Sequence, residues 1–441
     1  LYGGGDFART VEIATMCGRD TDCNAGNVGT IAGVLRGLAG IPEHYRRPVN
    51  DCIVASSVSG YLNIVDLPTF CKEVALLSYR LHGLQAPRKL AESVRFGELY
   101  FDFDLPGSTH GIRAGNPFKT PVVRHTRRVR YGESGGALEI VFDRITNTES
   151  ARIYYKPYYR REDFNDEKYK PTFAPQAVSG QTVEFALLLD QWEGAPLRIT
   201  PYVRDTWTKE DVLLEPVELK SGEWRTVRFE VPDLAGSFAD EIGFVLDSPT
   251  STPTSRALGA LYIGRMRVYG GGRYAIDWRK QAVEFTSVTP MAQHRGEWSL
   301  RDGGLHYAVE RNAAAFTGNY YTRDVEAEAA FTPLSGESHG FVARALGIER
   351  FYWLGLAEGG TVSIRRNDFG WTELASTAFP WEPGRTYALK MIVRGASLRL
   401  YIDGTLVLEA EDGRFTHGMY GAAMCSDASG VVGEFKVDFS V

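Results

Sequence analysis

The hydrophobic period of this chain changes once, near residue 90, and that change limits the folds open to it. Before the change, apolar residues recur at three- and four-residue spacing: Phe7, Val11 and Ala14, then Val28, Ile31, Ala32 and Leu35, then Phe70, Val74, Leu77 and Leu81. This is the stripe of an amphipathic helix. Pro68 is placed to open the last helix and Gly83 to close it. From about residue 93 the period is two. Leu138-Glu139-Ile140-Val141-Phe142, Val183 to Leu187, Thr226 to Val231 and Leu261 to Val268 read as strands separated by Gly, Pro and Asp turns. Segment 87–92, Pro-Arg-Lys-Leu-Ala-Glu, reads as the linker between the two regimes.

A second break falls at Gly270-Gly271-Gly272, after which a fresh set of strands begins. The run Ser397 to Ile402, then Asp403-Gly404, then Thr405 to Glu409 predicts a hairpin with a two-residue turn, and Gly433 to Phe439 predicts one more alternating strand. The expected architecture is therefore multidomain: an α-helical fragment over 1–86, followed by two antiparallel β-sandwich (jelly-roll) domains over 93–270 and 273–441. The length of 441 residues agrees with about three domains at roughly 150 residues each.

Charge and cysteine content exclude several function classes. With 49 basic and 55 acidic residues the net charge is −6, so no global positive field exists to hold a phosphate backbone, and nucleic acid is not expected as a partner. No run of about 18 apolar residues predicts a membrane span. The five cysteines, at 17, 23, 52, 71 and 425, are odd in number and crowded toward one end, which does not suit a disulfide framework. They read as buried thiols, and Cys17 and Cys23 lack the CxxC pairing and neighbouring His residues of a zinc site.

The stretch richest in chemistry is Gly18-Arg19-Asp20-Thr21-Asp22-Cys23-Asn24-Ala25 and the helix after it. Two carboxylates one residue apart precede a helix whose i, i+4 row is Ala25, Gly29, Gly33, Gly37. Glycines cost a helix about 1 kcal/mol each, so this row predicts close packing against another backbone. The carboxylates have two readings. One Asp caps the helix while the other lies solvated near its positive end. Alternatively, both face a hard divalent cation, whose charge relieves their repulsion.

The run from Gly4-Gly5-Asp6-Phe7 through Thr15-Met16-Cys17-Gly18-Arg19-Asp20-Thr21-Asp22-Cys23-Asn24-Ala25 to Gly40-Ile41-Pro42-Glu43 resembles the C-terminal signature of the ADP-ribosylglycohydrolase family. The resemblance covers about the first 50 to 80 residues. It implies an all-helical domain that binds two Mg or Mn ions and hydrolyses the bond between a ribose and an acceptor such as a modified Arg or Ser. By resemblance, Asp20 and Asp22 are metal ligands, with Thr21 and Cys23 as near neighbours of the metal. The family often carries Thr where Cys23 stands, and a thiol is a poorer ligand for a hard cation. The family's remaining ligands lie in a Thr-Asp-Asp element far upstream, with the acidic residue that assists catalysis. No Thr-Asp-Asp occurs in this sequence. The resemblance thus implies that the chain is the C-terminal portion of a longer enzyme and that the N-terminal half of the catalytic domain is a missing partner. The expected mechanism has the ions orient the sugar hydroxyls and a bound water, polarise the departing bond and lower that water's pKa, while a carboxylate handles the proton.

Residues 93–270 resemble a galactose-binding-type jelly roll through Gly222 to Pro232, Ile242 to Leu246 and Gly259 to Val268. Such modules often carry Asp where Gly264 stands, which argues against a calcium site there. Residues 273–441 resemble a concanavalin-like sandwich through Tyr321 to Phe331, Gly340 to Arg344, Pro383 to Lys390 and Tyr401 to Gly404. Flat rings stack on the C–H face of sugars. Trp353 and the Tyr154, Tyr155, Tyr158, Tyr159 group are aromatic candidates, and expected loop positions favour Trp192, Trp207 and Trp371 as substrate-binding residues.

Three functions follow. The first is a metal-dependent glycohydrolase acting on an ADP-ribosyl-type bond, with carbohydrate-binding accessory domains. The second uses the same metal site on an extracellular glycan. The third is a non-catalytic carbohydrate-binding protein. The accessory sandwiches favour an extracellular or periplasmic setting, although the cysteines give no support for an oxidising compartment.

Overall fold

A computed structural model describes residues 2–115, 121–142, 145–164, 169–252, 254, 258–310 and 312–441. Five α-helices come first: α1 (Phe7–Met16), α2 (Thr21–Arg36), α3 (Glu43–Val49), α4 (Leu67–Leu81) and α5 (Arg88–Glu92). The local signals account for their ends. Asp6 caps α1 by accepting from the Arg9 amide at 2.8 Å. Pro68 stands in the first turn of α4, and Asp66 caps that helix through the Thr69 amide at 3.1 Å. Gly83, just past the end of α4, has φ +64°. The predicted linker is itself helical, because Pro87 ends extended and Arg88 and Glu92 bond one turn apart at 2.7 Å. Among the described residues no helix is long and apolar enough to cross a membrane.

Two antiparallel sandwiches follow. In the first, one sheet runs in the order Asp211–Leu213, Leu197–Asp205, Ala239–Asp247, Ser150–Tyr155, Arg113–Gly115, with Val217–Leu219 also on Leu197–Asp205. The facing sheet runs Trp224–Glu230, Thr182–Glu193, Leu258–Tyr269, Ala137–Val141, Val122–Thr126, with Leu99–Phe101 also on Leu258–Tyr269. Alternate residues, among them Phe185, Leu187, Phe244, Ile263 and Met266, fill the space between the sheets. In the second sandwich a sheet built around Ala428–Ser440 and Asp324–Gly336 faces one built around His339–Gly347 and Arg350–Ala357, with Phe331, Phe341, Leu354 and Phe435 between them. The predicted hairpin forms between Ser397–Ile402 and Thr405–Glu411, and Asp403 and Gly404 have φ of 50° and 81°, as a type I′ turn requires.

The core of the second sandwich continues into the first. Tyr158 and Phe238 of the first sandwich belong to the same buried cluster as Tyr274 and Tyr420 of the second. Phe238 meets Tyr158 at 5.9 Å and Tyr274 at 5.6 Å, and the Tyr274 and Tyr420 hydroxyls share a 2.7 Å hydrogen bond. Arg160 adds an ion pair to Glu284 at 2.7 Å.

The cysteines correct one expectation. No disulfide forms among the described residues, but the thiols are not buried: Cys17, Cys23 and Cys71 are exposed, and Cys52 and Cys425 are half-buried. The reason is that α1, α2 and α4 turn those faces to solvent.

Candidate functional site

Asp20 occupies the N-cap position of α2, yet its side chain makes no capping hydrogen bond, and its backbone is left-handed at φ 47°. The first turn is closed instead by the Asn24 amide on the Asp20 carbonyl at 3.0 Å and by Asn24 Nδ2 on the Arg19 carbonyl at 3.0 Å. The Asp20 carboxylate is therefore not spent on the cap. Asp22 lies in the first helical turn, and one ligand atom each from Asp20, Asp22 and Cys23 fall within 4.8 Å of one another, all on exposed residues. Thr21 opens α2 beside them. Two carboxylates suit a hard divalent cation, while the thiol does not. In chemistry and proximity the two Asp residues fit a Mg or Mn ion, but they would fill only part of its coordination shell.

The glycine row does face another element. A Cβ on Gly29 would lie 3.6 Å from a Val11 methyl, and one on Gly33 would lie 3.8 Å from the Phe7 ring. These are ordinary contacts, so α1 packs on this row without needing every glycine in it. The outer faces are open. Val34 is 84% exposed and Leu35 70%, and on α4 Phe70, Val74, Leu77 and Leu81 are exposed as well.

The other side of the helical segment is tied down by polar groups. Lys72 of α4, 3% exposed, pairs with Asp102 of the first sandwich at 2.6 Å. Asp66 also bonds Nδ1 of the fully buried His110 at 2.8 Å, and the His110 ring stacks on Phe101 at 4.7 Å. Asp51 accepts from the Thr109 amide at 2.6 Å. Glu73 of α4 bonds the Tyr321 hydroxyl of the second sandwich at 3.2 Å, and burial pushes its carboxyl above the usual range. Helix α4 is thus held against both sandwiches.

The three tryptophans have different fates. Trp192 lies within the strand Thr182–Glu193 and not in a loop; its Nε1 donates to the Ala195 carbonyl at 2.8 Å and its ring packs near Phe142 at 5.7 Å, against the core. Trp207 sits on the turn after Leu197–Asp205, half exposed, its amide on Asp205 at 2.6 Å. Trp371 begins the strand Trp371–Ala378, also not in a loop, and stands edge-on to Phe351 at 5.5 Å. It walls an open groove of about 600 Å³ on the second sandwich, together with Arg365, Glu358, Glu337 and Asp427. In that groove Arg365 bonds Glu358 at 2.6 Å and Ser363 at 3.0 Å, and its guanidinium lies 5.4 Å over the Trp353 ring. Burial pushes the Glu358 carboxyl up, but hydrogen bonds from Arg365 and the backbone outweigh it and hold it below the usual range. Trp353, Tyr155, Tyr158 and Tyr159 are buried, so these rings serve the core. Arg365 comes from the strand Thr361–Asp368 and Glu358 from the turn that precedes it, a placement that no linear motif announces.

Residues 1–74 match the ADP-ribosylglycohydrolase family model. The match takes in α1, α2, the Asp20-Thr21-Asp22-Cys23 element and the first half of α4. No curated protein matches the chain. Solved structures similar to it include carbohydrate binding module CBM66 from Bacillus subtilis, at 19% identity over 32% of this chain and 91% of that one, with a TM-score of 0.31. A Bacillus subtilis protein of unknown function with a galectin-like fold is 15% identical over 34% of this chain and 90% of that one, with a TM-score of 0.28. The N-terminal CBM22 tandem of Xyn10C from Paenibacillus barcinonensis is 10% identical over 78% of this chain and 97% of that one, with a TM-score of 0.26. Likenesses at this level assign no ligand.

Proposed function

We propose that residues 1–86 form the C-terminal portion of a metal-dependent glycohydrolase domain that cleaves an ADP-ribosyl-type bond, and that the two sandwiches are carbohydrate-binding accessories to it. The family match over residues 1–74 supports a hydrolase, and the observation that carries the finer reading is the uncapped Asp20 carboxylate clustered with Asp22 at the head of α2. Asp20 and Asp22 would hold a Mg or Mn ion, one of two in the complete site, with Thr21 and Cys23 beside it. Such an ion, when bound, supplies Lewis-acid polarisation of the departing bond and an acidified water. The open apolar faces of α2 and α4 support a partner: a further helical layer that covers them and brings the remaining ligands and the proton-handling carboxylate.

A second reading keeps the metal site but takes a glycan as substrate. The groove beside Trp371 favours it, since an aromatic wall and polar rim suit a sugar chain. The test has two arms. Mn binding to the chain is followed by paramagnetic resonance for the wild type, Asp20→Asn and Asp22→Asn, and weaker binding in both variants is expected. Hydrolysis of ADP-ribosylated protein and of a polysaccharide panel is then assayed with the covering helical domain present. Turnover unchanged by either substitution would remove the site. Glycan binding without turnover on any substrate would favour a carbohydrate-binding protein.

A further inference from the structure

We propose that the cleft between α5 and the first sandwich is a second ligand site, taking a single neutral sugar ring or a polyol of that size. It rests on different residues from the groove beside Trp371 and does not depend on the aspartate element. The cleft has a volume of about 160 Å³. That is far above the roughly 10–15 Å³ that admits one water, and on the scale of one sugar ring rather than a chain of them.

Its walls are built, not incidental. Tyr131 and Tyr100 line it. Tyr131 is held against Trp224 at 4.8 Å, with the Arg265 guanidinium 5.2 Å over its ring. Gly264 is what lets it lie there: a Cβ at that position would come within 2.3 Å of the Tyr131 Cβ and 2.7 Å of the Trp224 ring. Any side chain at residue 264 would clash with this aromatic wall. Arg95 lies 5.0 Å over the ring of Tyr100 and sets the opposite side.

The charges decide the ligand class. Most are neutralised within the structure: Lys72 by Asp102 and Lys89 by Asp104, both at 2.6 Å, and Arg265 by Glu184 at 2.6 Å. Among the described residues, Arg95 makes a ring contact but no ion pair, and Glu133 makes neither a hydrogen bond nor an ion pair. That leaves one cationic donor and one anionic acceptor facing a cleft with two phenol rings. Glu133 repels an anion, while Arg95 repels a cation. A neutral polyhydroxyl compound can accept from Arg95 and donate to Glu133.

The experiment is calorimetric titration of the full chain with glucose, galactose, mannose, xylose and arabinose, and with glucuronate and glucosamine as charged counterparts. It is repeated on Arg95→Ala, Glu133→Gln and Trp371→Ala, each checked by its urea midpoint. The expected result is saturable binding of at least one neutral sugar. Arg95→Ala should weaken it about tenfold, the worth of one hydrogen bond to a charged group, and Glu133→Gln should weaken it in the same direction. In Trp371→Ala, where the separate groove is disabled, saturable binding should persist and should still weaken when Arg95→Ala is added. The proposal is overturned if no neutral sugar saturates, if only the charged sugars bind, or if binding falls in Trp371→Ala and not in Arg95→Ala. Any of these would leave the Mn-binding test of Asp20 and Asp22 standing.

Discussion

His339 makes a quantitative claim about acid stability. It lies in the second sandwich, fully buried at the start of the strand His339–Gly347, with Nδ1 in a 2.7 Å hydrogen bond with the Tyr307 hydroxyl and its ring edge-on to Trp381 at 5.4 Å. Burial, offset in part by a backbone hydrogen bond to Gly336, lowers its pKa to about 4. An unfolded His has a pKa of about 6.5. Between these values the unfolded chain binds a proton that the folded chain refuses, so stability falls as pH falls through this window and is fully present above it. Linkage with these two values gives a loss of about 2 kcal/mol between pH 7 and pH 5, approaching about 3 kcal/mol below pH 4. His339→Gln keeps a hydrogen-bonding partner for Tyr307 and carries no charge at either pH. Urea unfolding at pH 7 and pH 5, followed by tryptophan fluorescence, should therefore show about 2 kcal/mol less acid sensitivity in the variant. Carboxylates titrate alike in both proteins and cancel in the comparison. Equal pH dependence in the wild type and His339→Gln would refute the reasoning, as would an NMR titration placing the His339 ring near an ordinary pKa.

Other expectations test other parts of the fold. Gly29→Ala and Gly33→Ala meet only ordinary contacts from α1, so each should stabilise α2 by about 0.5–1 kcal/mol, seen as slower amide exchange in that helix; faster exchange would show that the glycines are sterically required. Lys72→Met strands Asp102 without its partner and should cost about 3 kcal/mol or more in urea unfolding. The double variant with Asp102→Asn should recover most of that, because no unpaired charge remains. Val34→Glu with Leu35→Lys on α2 should lower the binding of a hydrophobic dye without lowering the unfolding midpoint, since both residues face solvent; a drop in midpoint would show that this face is packed.

Secondary structure was the most legible layer. Strands declared themselves by alternation, because each has one face on a sandwich core, and the Asp403-Gly404 turn was readable because its two positive φ angles admit few residue types. The aspartate element was readable as a motif, but the sequence could not show that Asp20 leaves its carboxylate out of the cap. The errors have one origin, which is that burial depends on tertiary neighbours. Cysteines taken as buried face solvent on helices whose outer side is open, and Trp192, expected on a loop, sits in a strand against the core because a strand edge and a loop share the same local composition. The cleft at Tyr131 was invisible for the same reason, as it joins α5, the strand Leu258–Tyr269 and the segment around residue 131.

The shared core between the sandwiches also has a mechanical side. With Tyr158, Phe238, Tyr274 and Tyr420 interlocked across the joint, the two modules cannot swing independently as beads on a flexible string do. The groove beside Trp371 and the cleft beside Tyr131 are then held at a set spacing and angle, like the jaws of a caliper. A branched or folded glycan whose two contact points match that spacing would meet the second site at a reduced orientational cost, while one that does not match would engage a single site at a time.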